Sequence, residues 1–285
     1  MQEQIKQIAG ARVVSLEHVE GRGYTHAGRQ RAFLADGRTV FVKSAVDELS
    51  AGWLRAEIAV YSSVRGSFLA EFHGSAEHDG LPLLVLEDLG AAHWPPPWRD
   101  GDVEAVKHAL AQIAATPPPA GLEGGLRDML AHEWREVERD PEQFLSVGLC
   151  SRTWLDANLP ALRDTAERAP FEGSDLLHLD VRSDNIAWRD GRAILVDWNW
   201  ACIGNALLDA VAWAPSLHAE GGPPPEDVVR GDGVAELAAA VAGFFAARVG
   251  LSPPETAPRV RVVQREQLAV ALPWACRALG LPAPG

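Results

Sequence analysis

The chain contains 285 residues, of which 47% are hydrophobic and 23% charged, and its formal net charge is −13. This length allows one large domain or two smaller ones, in either case with a sizeable core. The negative charge disfavours nucleic acid and anionic membranes as partners, because both bind basic surfaces, and it is compatible with a cationic small molecule.

Neither export nor membrane insertion is predicted. No apolar run reaches the roughly 18 residues of a membrane-spanning helix, and the first residues lack the charged and apolar regions of a signal peptide. Cys150, Cys202 and Cys276 lack the spacing of a disulfide framework or a zinc site. We therefore expect a cytoplasmic protein, monomeric or dimeric, whose cysteines are small buried residues.

The first predicted hairpin lies near the N-terminus. An extended run from Gln30 to Ala35 is followed by the turn signal Asp36-Gly37 and a returning strand from Arg38 to Lys43. A two-residue turn at this position places Lys43 opposite Gln30.

A glycine-rich connection with Gly21, Gly23 and Thr25 joins this hairpin to a preceding strand at residues 13–19. Its backbone amides and the ammonium group of Lys43 could therefore face the same phosphates. Two plainer interpretations stay open, because a lysine that ends an apolar strand is commonly solvated and Gly-x-Gly is commonly only a turn.

Apolar residues with helical spacing predict a helix over residues 49–64, and Glu57 belongs to it. A glutamate on a helix beside the sheet can pair with the strand lysine and hold it toward the phosphates. We predict that Glu57 pairs with Lys43; the alternative is a glutamate on the surface.

Residues 83–90 form an apolar run that ends in two acids, a leucine and a glycine, which fits a connector between two lobes. Such a connector offers backbone groups to the edge of an adenine, so we expect Glu87 and Leu89 to act through their main chains. The proline-rich residues 91–98 are not expected to be helical and predict a stiff link to a second lobe.

After Asp100 the pattern becomes mainly helical, and its apolar stripes are interpreted as core. The stripes are Val103, Val106, Leu110 and Ile113; Leu126, Met129, Leu130 and Trp134; Trp154, Leu155, Leu159 and Leu162, in a helix bent at Pro160; Val234, Leu237, Val241, Phe244 and Phe245, in a helix that Gly250 ends; and residues 259–279, interrupted at Pro273.

The motif that carries chemistry is His178-x-Asp180-x-x-x-x-Asn185, followed twelve residues later by Asp197. This spacing places one carboxylate to orient a hydroxyl nucleophile and one amide to hold a metal ion, and the later aspartate adds the charge that divalent magnesium needs. The alternative is a surface turn that happens to carry acids and an amide.

A second hairpin brings the parts of this motif together. If Asp190-Gly191 is a two-residue turn, Asn185 lies opposite Val196, and Asp197 arrives beside Asn185. Two hard oxygen ligands at the open end of a short hairpin suit a magnesium ion that bridges nucleotide phosphates.

In the order of these features the chain resembles the aminoglycoside phosphotransferase and related small-molecule kinase family over about residues 11 to 215. The resemblance implies an α+β, bilobal protein-kinase-like fold. Residues 1–90 are then a small nucleotide-binding lobe with an antiparallel sheet, one helix and the connector, and residues 91–285 a larger, mainly helical lobe with the catalytic loop and acceptor site.

The resemblance also implies roles for individual side chains. Asp180 orients or deprotonates the acceptor hydroxyl, Asn185 and Asp197 bind Mg²⁺, and Lys43 contacts the nucleotide phosphates with Glu57 holding it. His178 and Asp209 are then structural: the histidine packs under the catalytic loop, and Asp209 braces the loop of the metal-binding acid.

The chain departs from familiar kinase patterns at three points. Leu179 stands where the resembled family often has glycine, and Trp198-Asn199-Trp200 follows Asp197 in place of the Phe-Gly of protein kinases. Only eleven residues separate Asp197 from Asp209, which leaves no room for a long activation segment and argues against a protein kinase.

The predicted function is transfer of the ATP γ-phosphoryl group, GTP not being excluded as donor, to a hydroxyl of a small polar molecule. An antibiotic of the aminoglycoside type is the first choice of acceptor. Five acids within residues 133–142 could recognise a cation or could form a solvated helix face. The alternatives are a metabolic kinase for a fructosamine, an amino alcohol or a sugar, a catalytically silent nucleotide-binding regulator, and a metal-dependent hydrolase.

Overall fold

A computed structural model describes residues 1–19, 27–255 and 257–285 of the chain. The N-terminal part is a five-stranded antiparallel sheet in the order β1-β2-β3-β5-β4, accompanied by two helices. Its elements are α1 (Gln2–Ala9), β1 (Val13–His18), β2 (Gly28–Leu34), β3 (Thr39–Ser44), α2 (Glu48–Ser63), β4 (Phe72–His78) and β5 (Leu81–Glu87).

The C-terminal part is mainly helical, with two short two-stranded sheets. Its elements are α3 (Asp102–Ala114), α4 (Leu126–Leu130), α5 (Glu133–Arg139), α6 (Pro141–Leu145), α7 (Arg152–Glu167), β6 (Asp175–Leu177), β7 (Ile186–Arg189), β8 (Arg192–Leu195), β9 (Cys202–Gly204), α8 (Leu207–Ala219), α9 (Pro225–Val228), α10 (Val234–Ala246) and α11 (Val260–Leu279). The predicted α+β arrangement is present. The division at residue 90 stays a prediction.

The register between β2 and β3 differs from the prediction. Lys43 pairs with Arg29 and not with Gln30. The two-residue turn was wrong, because Leu34 N donates to Arg38 O (2.9 Å) around a three-residue connection in which Gly37 has a φ of 86°. Directly opposed residues share a face of the sheet, so Arg29 lies on the same face as Lys43.

Helix α2 begins at a capping box and lies close to its predicted bounds. Asp47 Oδ1 accepts from Ser50 N (2.7 Å), and Ser50 Oγ accepts from Asp47 N (3.1 Å). The buried face of the helix packs into the main core, which continues from this side of the sheet through the C-terminal helices. This packing fixes the direction in which Glu57 points.

Helix α1 and strand β4 were not predicted from the sequence. Ile5 of α1 is fully buried and packs with Val13, Val42 and Val85 in a small core of its own. Only Ile5 and Ala9 of the eight helical residues are buried, so the helix leaves a weak periodic signal.

Three helix predictions in the C-terminal part are corrected. The stripe from Leu126 to Trp134 is divided between α4 and α5, and α10 ends at Ala246, before Gly250. Pro273 does not interrupt α11. Burial of residues on both sides of it, including Leu272 and Trp274, offsets the hydrogen bond that proline cannot make.

No helix among the described residues combines the length and apolarity that crossing a membrane requires. Cys150, Cys202 and Cys276 are buried free thiols, as expected.

Candidate active site

A cleft of about 230 Å³ lies between the sheet and the segment around Asp197. Its walls come from β2, β3, α2, the residues after β5, and the ends of the β7–β8 hairpin. The lining includes six of the predicted site residues, namely Lys43, Glu57, Glu87, Leu89, Asn185 and Asp197.

Lys43 joins the two sides of this cleft. Its Nζ lies 2.6 Å from Glu57 Oε2 and 2.7 Å from Asp197 Oδ1, and the lysine is buried. Burial alone would lower the pKa of Lys43, but attraction by the two carboxylates raises it above its usual value. The same ammonium holds the pKa of Asp197 below its usual value against the effect of burial. The lysine therefore stays positively charged.

Asp180 is held by two neighbours in the loop of residues 178–185. Asn185 Nδ2 donates to both the backbone oxygen and Oδ2 of Asp180, each at 2.9 Å, and Arg182 Nε lies 3.0 Å from Asp180 Oδ1. The side chain is 26% exposed, so a ligand can reach it. Burial raises the pKa of Asp180, and the charge of Arg182 opposes this shift.

The predicted register of the second hairpin is confirmed. Ile186 pairs with Leu195, and Val196 N donates to Asn185 O at 3.0 Å. Asp197, in the left-handed region at a φ of 67°, follows directly. Asn185 binds Asp180 through Nδ2, which leaves its amide oxygen as an acceptor, and Asn185 and Asp197 both line the cleft. An amide oxygen and a carboxylate are donors that suit magnesium, and the role of these two residues as its ligands stays a prediction.

His178 is neutral and bound at both ring nitrogens. Val196 O can only accept, so His178 Nε2 donates to it (3.0 Å), and Nδ1 accepts from Asp180 N (3.2 Å). Complete burial lowers its pKa to about 4. The ring, which packs edge-on against Trp198 at 4.6 Å, supports the loop and has no nitrogen left for a metal.

Leu179 adopts a φ of 60°, a conformation that glycine takes easily and leucine rarely. The backbone N–H groups of Leu179 and of the residue before it are held by one carboxylate: Asp209 Oδ2 accepts from His178 N (2.9 Å) and Oδ1 from Leu179 N (2.7 Å). Burial raises the pKa of Asp209 to about 6. The carboxylate thus fixes the backbone directly before Asp180.

Glu87 and Leu89 line the cleft, but part of their main chain is already bonded within the protein. Glu87 N donates to Glu71 O (2.9 Å), and Leu89 O accepts from Trp94 Nε1 (3.2 Å). Contact of these residues with a nucleobase stays a prediction. Gly21, Gly23 and Thr25 lie outside the described residues.

Several residues near the cleft were not predicted from the sequence. Arg29 and Arg31 on β2 line it, and Arg31 Nε lies 2.7 Å from Asp88 Oδ2. A three-residue turn would have put Arg29 beside Lys43. Arg182 lies inside the motif and was overlooked because the pattern assigns it no role.

A contact from the residue that follows α8 was not predicted either. Glu220 accepts from Ser183 Oγ (2.5 Å) and from Trp98 Nε1 (2.9 Å). It joins three segments that are far apart in sequence, so no local pattern reveals it.

A family model described as the phosphotransferase enzyme family matches residues 25–256. The chain belongs to this family of phosphotransferases. No curated protein sequence matches it significantly.

Solved structures of small-molecule kinases share the fold at low sequence identity. A thermostable mutant of aminoglycoside phosphotransferase APH(4)-Ia, in complex with AMP-PNP and hygromycin B, is 15% identical, with a TM-score of 0.57 over 98% of this chain and 96% of that one. A putative fructosamine-3-kinase from Thermobifida fusca is 18% identical (TM-score 0.55; 94% and 98% covered). A choline/ethanolamine kinase family protein from Mesorhizobium loti is 14% identical (TM-score 0.57; 93% and 91% covered). The predicted protein-kinase-like fold is confirmed.

Proposed function

We propose that the protein transfers the γ-phosphoryl group of ATP to a hydroxyl group of a small polar molecule, with magnesium as the metal ion. The observation that carries this proposal is a continuous set of contacts across the cleft. Lys43 binds Asp197, Asp197 follows the hairpin strand that ends beside Asn185, and Asn185 binds Asp180. A phosphate-binding cation and a carboxylate for the acceptor are thereby held in one site.

The nucleotide phosphates lie against Lys43, whose positive charge Glu57 helps to maintain. Asn185 and Asp197 hold the magnesium ion, which neutralises charge on the phosphates when bound. The AMP-PNP in the complex of APH(4)-Ia supports a nucleotide site in this fold.

Asp180 orients the acceptor hydroxyl and accepts its proton as the oxygen bonds to the γ-phosphorus and the bond from that phosphorus to the β-phosphate oxygen breaks. The leaving group is ADP. Arg182 keeps the carboxylate ionised through its charge, and Asn185 fixes its direction through the bond to Oδ2. Positioning of this kind supplies most of the catalysis in phosphoryl transfer.

The acceptor is proposed to be cationic and to bind where Asp180, Asp184 and Glu220 meet. Asp184 and Glu220 are close enough for electrostatic repulsion, which adds to burial in raising the pKa of Glu220. Arg182 pairs with both Asp180 and Asp184, so the three carboxylates share one guanidinium and keep a net negative charge. The acids of residues 133–142 do not support a second cation site, because Glu133, Glu136, Glu138 and Glu142 pair with arginines.

An aminoglycoside antibiotic is the first choice of acceptor, supported by the hygromycin B bound to APH(4)-Ia. A fructosamine or an amino alcohol is the second choice, because the fructosamine-3-kinase and the choline/ethanolamine kinase family protein resemble this fold equally well.

The test is ADP formation with ATP and magnesium across a panel of aminoglycosides, fructosamines, amino alcohols and sugars, with phosphorylated product detected by mass spectrometry. Product from one class identifies the acceptor. Tight nucleotide binding without product from any acceptor would support the silent regulator, and ADP formed equally fast without acceptor would support the hydrolase.

A further inference from the structure

A second cavity of about 350 Å³ lies behind the end of β5, on the other side of Glu87 from the cleft. Its walls come from the end of α2 with Tyr61, the segment that follows with Arg65, and the hairpin residues Arg189 and Arg192. Glu71 and Glu87 complete the polar lining. This volume lies within the range of small-molecule pockets, roughly 300–1,000 Å³.

Two buried donors of this lining have no hydrogen-bond partner among the described residues. They are the hydroxyl of Tyr61, a residue only 1% exposed, and Nε of Arg189. Arg189 Nε lies 3.7 Å from Asp190 Oδ2, which is too far for a hydrogen bond. Buried donors are normally satisfied by protein groups, ordered water or a ligand, so two at one cavity indicate that a hydrogen-bond acceptor occupies it.

The positive charge of the lining also favours a ligand with hydrogen-bond acceptors. Arg65 Nη1 donates to carbonyl oxygens, the nearest being Val64 O at 2.7 Å, and Arg192 Nη1 is 3.5 Å from Ser67 O. Within the described part of the chain, neither guanidinium lies within ion-pair distance of a carboxylate.

The two glutamates offset this charge only in part. Glu87 is paired with Arg189, and with Glu71, whose side chain is 73% exposed, the lining keeps one net positive charge. A cluster of three arginines in a chain with a net charge of −13 therefore has at least two positive charges without a carboxylate partner.

We propose that this cavity binds a phosphate group, either as inorganic phosphate or as a small phosphate monoester. Guanidinium groups match phosphate oxygens in geometry as well as in charge, and the Tyr61 hydroxyl adds a neutral donor. The phosphate accepts from Arg65, Arg192, Arg189 Nε and Tyr61, while Arg189 keeps its bond to Glu87. All four of these donors belong to residues that line the second cavity, so the phosphate binds there without contact to the first cleft.

The test is calorimetric titration with inorganic phosphate, and in a second arm with glycerol phosphate, at constant ionic strength set with sodium chloride. We expect saturable binding that Arg192→Gln weakens at least about tenfold, the loss typical of a charge-assisted hydrogen bond. Tyr61→Phe is expected to weaken it about threefold to tenfold. Tighter binding of the ester identifies monoesters as the occupant, and equal or weaker binding identifies the free ion.

Arg230→Gln is the matched control, because this arginine is 77% exposed, lies away from the cavity and carries the same charge. It should change the affinity less than twofold. Thermal unfolding checks that each variant folds, and Tyr61→Phe removes a hydroxyl without a hydrogen-bond partner, so it keeps the test valid if Arg192→Gln is unstable. Absence of saturable binding, or binding that neither cavity variant weakens, overturns the proposal.

Discussion

A substitution of Asp180 can separate the effect on nucleotide affinity from the effect on turnover. It contacts Asn185 and Arg182 but lies outside the set of residues that line the nucleotide cleft. Asp180 is proposed to orient and deprotonate the acceptor hydroxyl, so its loss should affect turnover far more than nucleotide affinity.

We predict that Asp180→Asn lowers kcat at least about a hundredfold, the magnitude typical of a positioned acid–base group. The Kd of ATP should change less than about threefold. Steady-state kinetics and calorimetry provide the two measurements. Asp190→Asn is the control, since Asp190 is an exposed carboxylate in the nearby hairpin turn, and it should leave both values unchanged. Turnover that survives Asp180→Asn would falsify the assigned role.

The strained backbone of Leu179 depends on hydrogen bonds to Asp209. A left-handed leucine costs roughly 1–3 kcal/mol, and the two hydrogen bonds to Asp209 hold it in place. Asp209→Asn turns one acceptor oxygen into a donor that faces a backbone N–H. We predict a loss of about 1–3 kcal/mol in the free energy of unfolding, measured with urea.

The same variant should lower kcat, because the backbone before Asp180 loses its support. Leu179→Gly in the Asp209→Asn background should recover part of that loss, since glycine adopts the required φ without strain. Identical kcat in the single and double variants would show that Asp209 acts on activity in some other way.

Two hairpins with the same Asp-Gly signal show how far local sequence determines an element. At Asp190-Gly191 both residues have positive φ, the turn has two residues, and the predicted register holds. At Asp36-Gly37 only Gly37 has a positive φ, and the turn has three residues. The dipeptide predicts a turn in both cases, but strand pairing decides its length. Arg29 was therefore missed while Asn185 and Asp197 were brought together correctly.

Two glycines of the N-terminal part should respond to alanine with opposite signs. Gly37 has a φ of 86° and open space around an added Cβ, so Gly37→Ala introduces only backbone strain and should cost about 1–2 kcal/mol. Gly52 is exposed within α2, also with open space, and Gly52→Ala should stabilise by about 0.5–1 kcal/mol.

Urea unfolding of both variants, each against the unchanged protein, provides the comparison. Each change adds one methyl group and neither touches the cleft. A stabilising Gly37→Ala would mean that the turn does not need its left-handed residue.

At the scale of the whole molecule, the β7–β8 hairpin joins the N-terminal part to the helices. Leu195 N donates to Phe68 O (2.8 Å), His93 and Trp188 exchange backbone hydrogen bonds, and Arg189 pairs with Glu87. Apolar periodicity predicted the elements on each side of this contact. The contact itself joins residues 95 or more positions apart, as does the Glu220–Trp98 bond, and local patterns carry no signal for such pairs.

Two buried groups, His178 and Asp209, give stability a pH dependence with two opposing parts. His178 has a pKa of about 4, lowered from 6.5, so the unfolded chain binds more protons between these values and stability falls as the pH drops through this window. Asp209 has a pKa of about 6, raised from 3.8, so the folded chain binds more protons and stability falls as the pH rises from about 4 to 6. The two contributions largely cancel.

His178→Gln should remove the contribution of His178 to the pH dependence and leave that of Asp209. Glutamine does not titrate and retains an N–H donor for Val196 O, so the variant loses only the contribution that acid weakens. The quantity to compare is the free energy of unfolding of the variant minus that of the unchanged protein. This difference should become about 3 kcal/mol more favourable to the variant when the pH is lowered from 7 to 4, because only the unchanged protein loses the contribution of His178. Urea titrations at half-unit steps of pH measure this difference. A difference that is constant across the range would mean that His178 does not titrate in the folded protein as its burial requires.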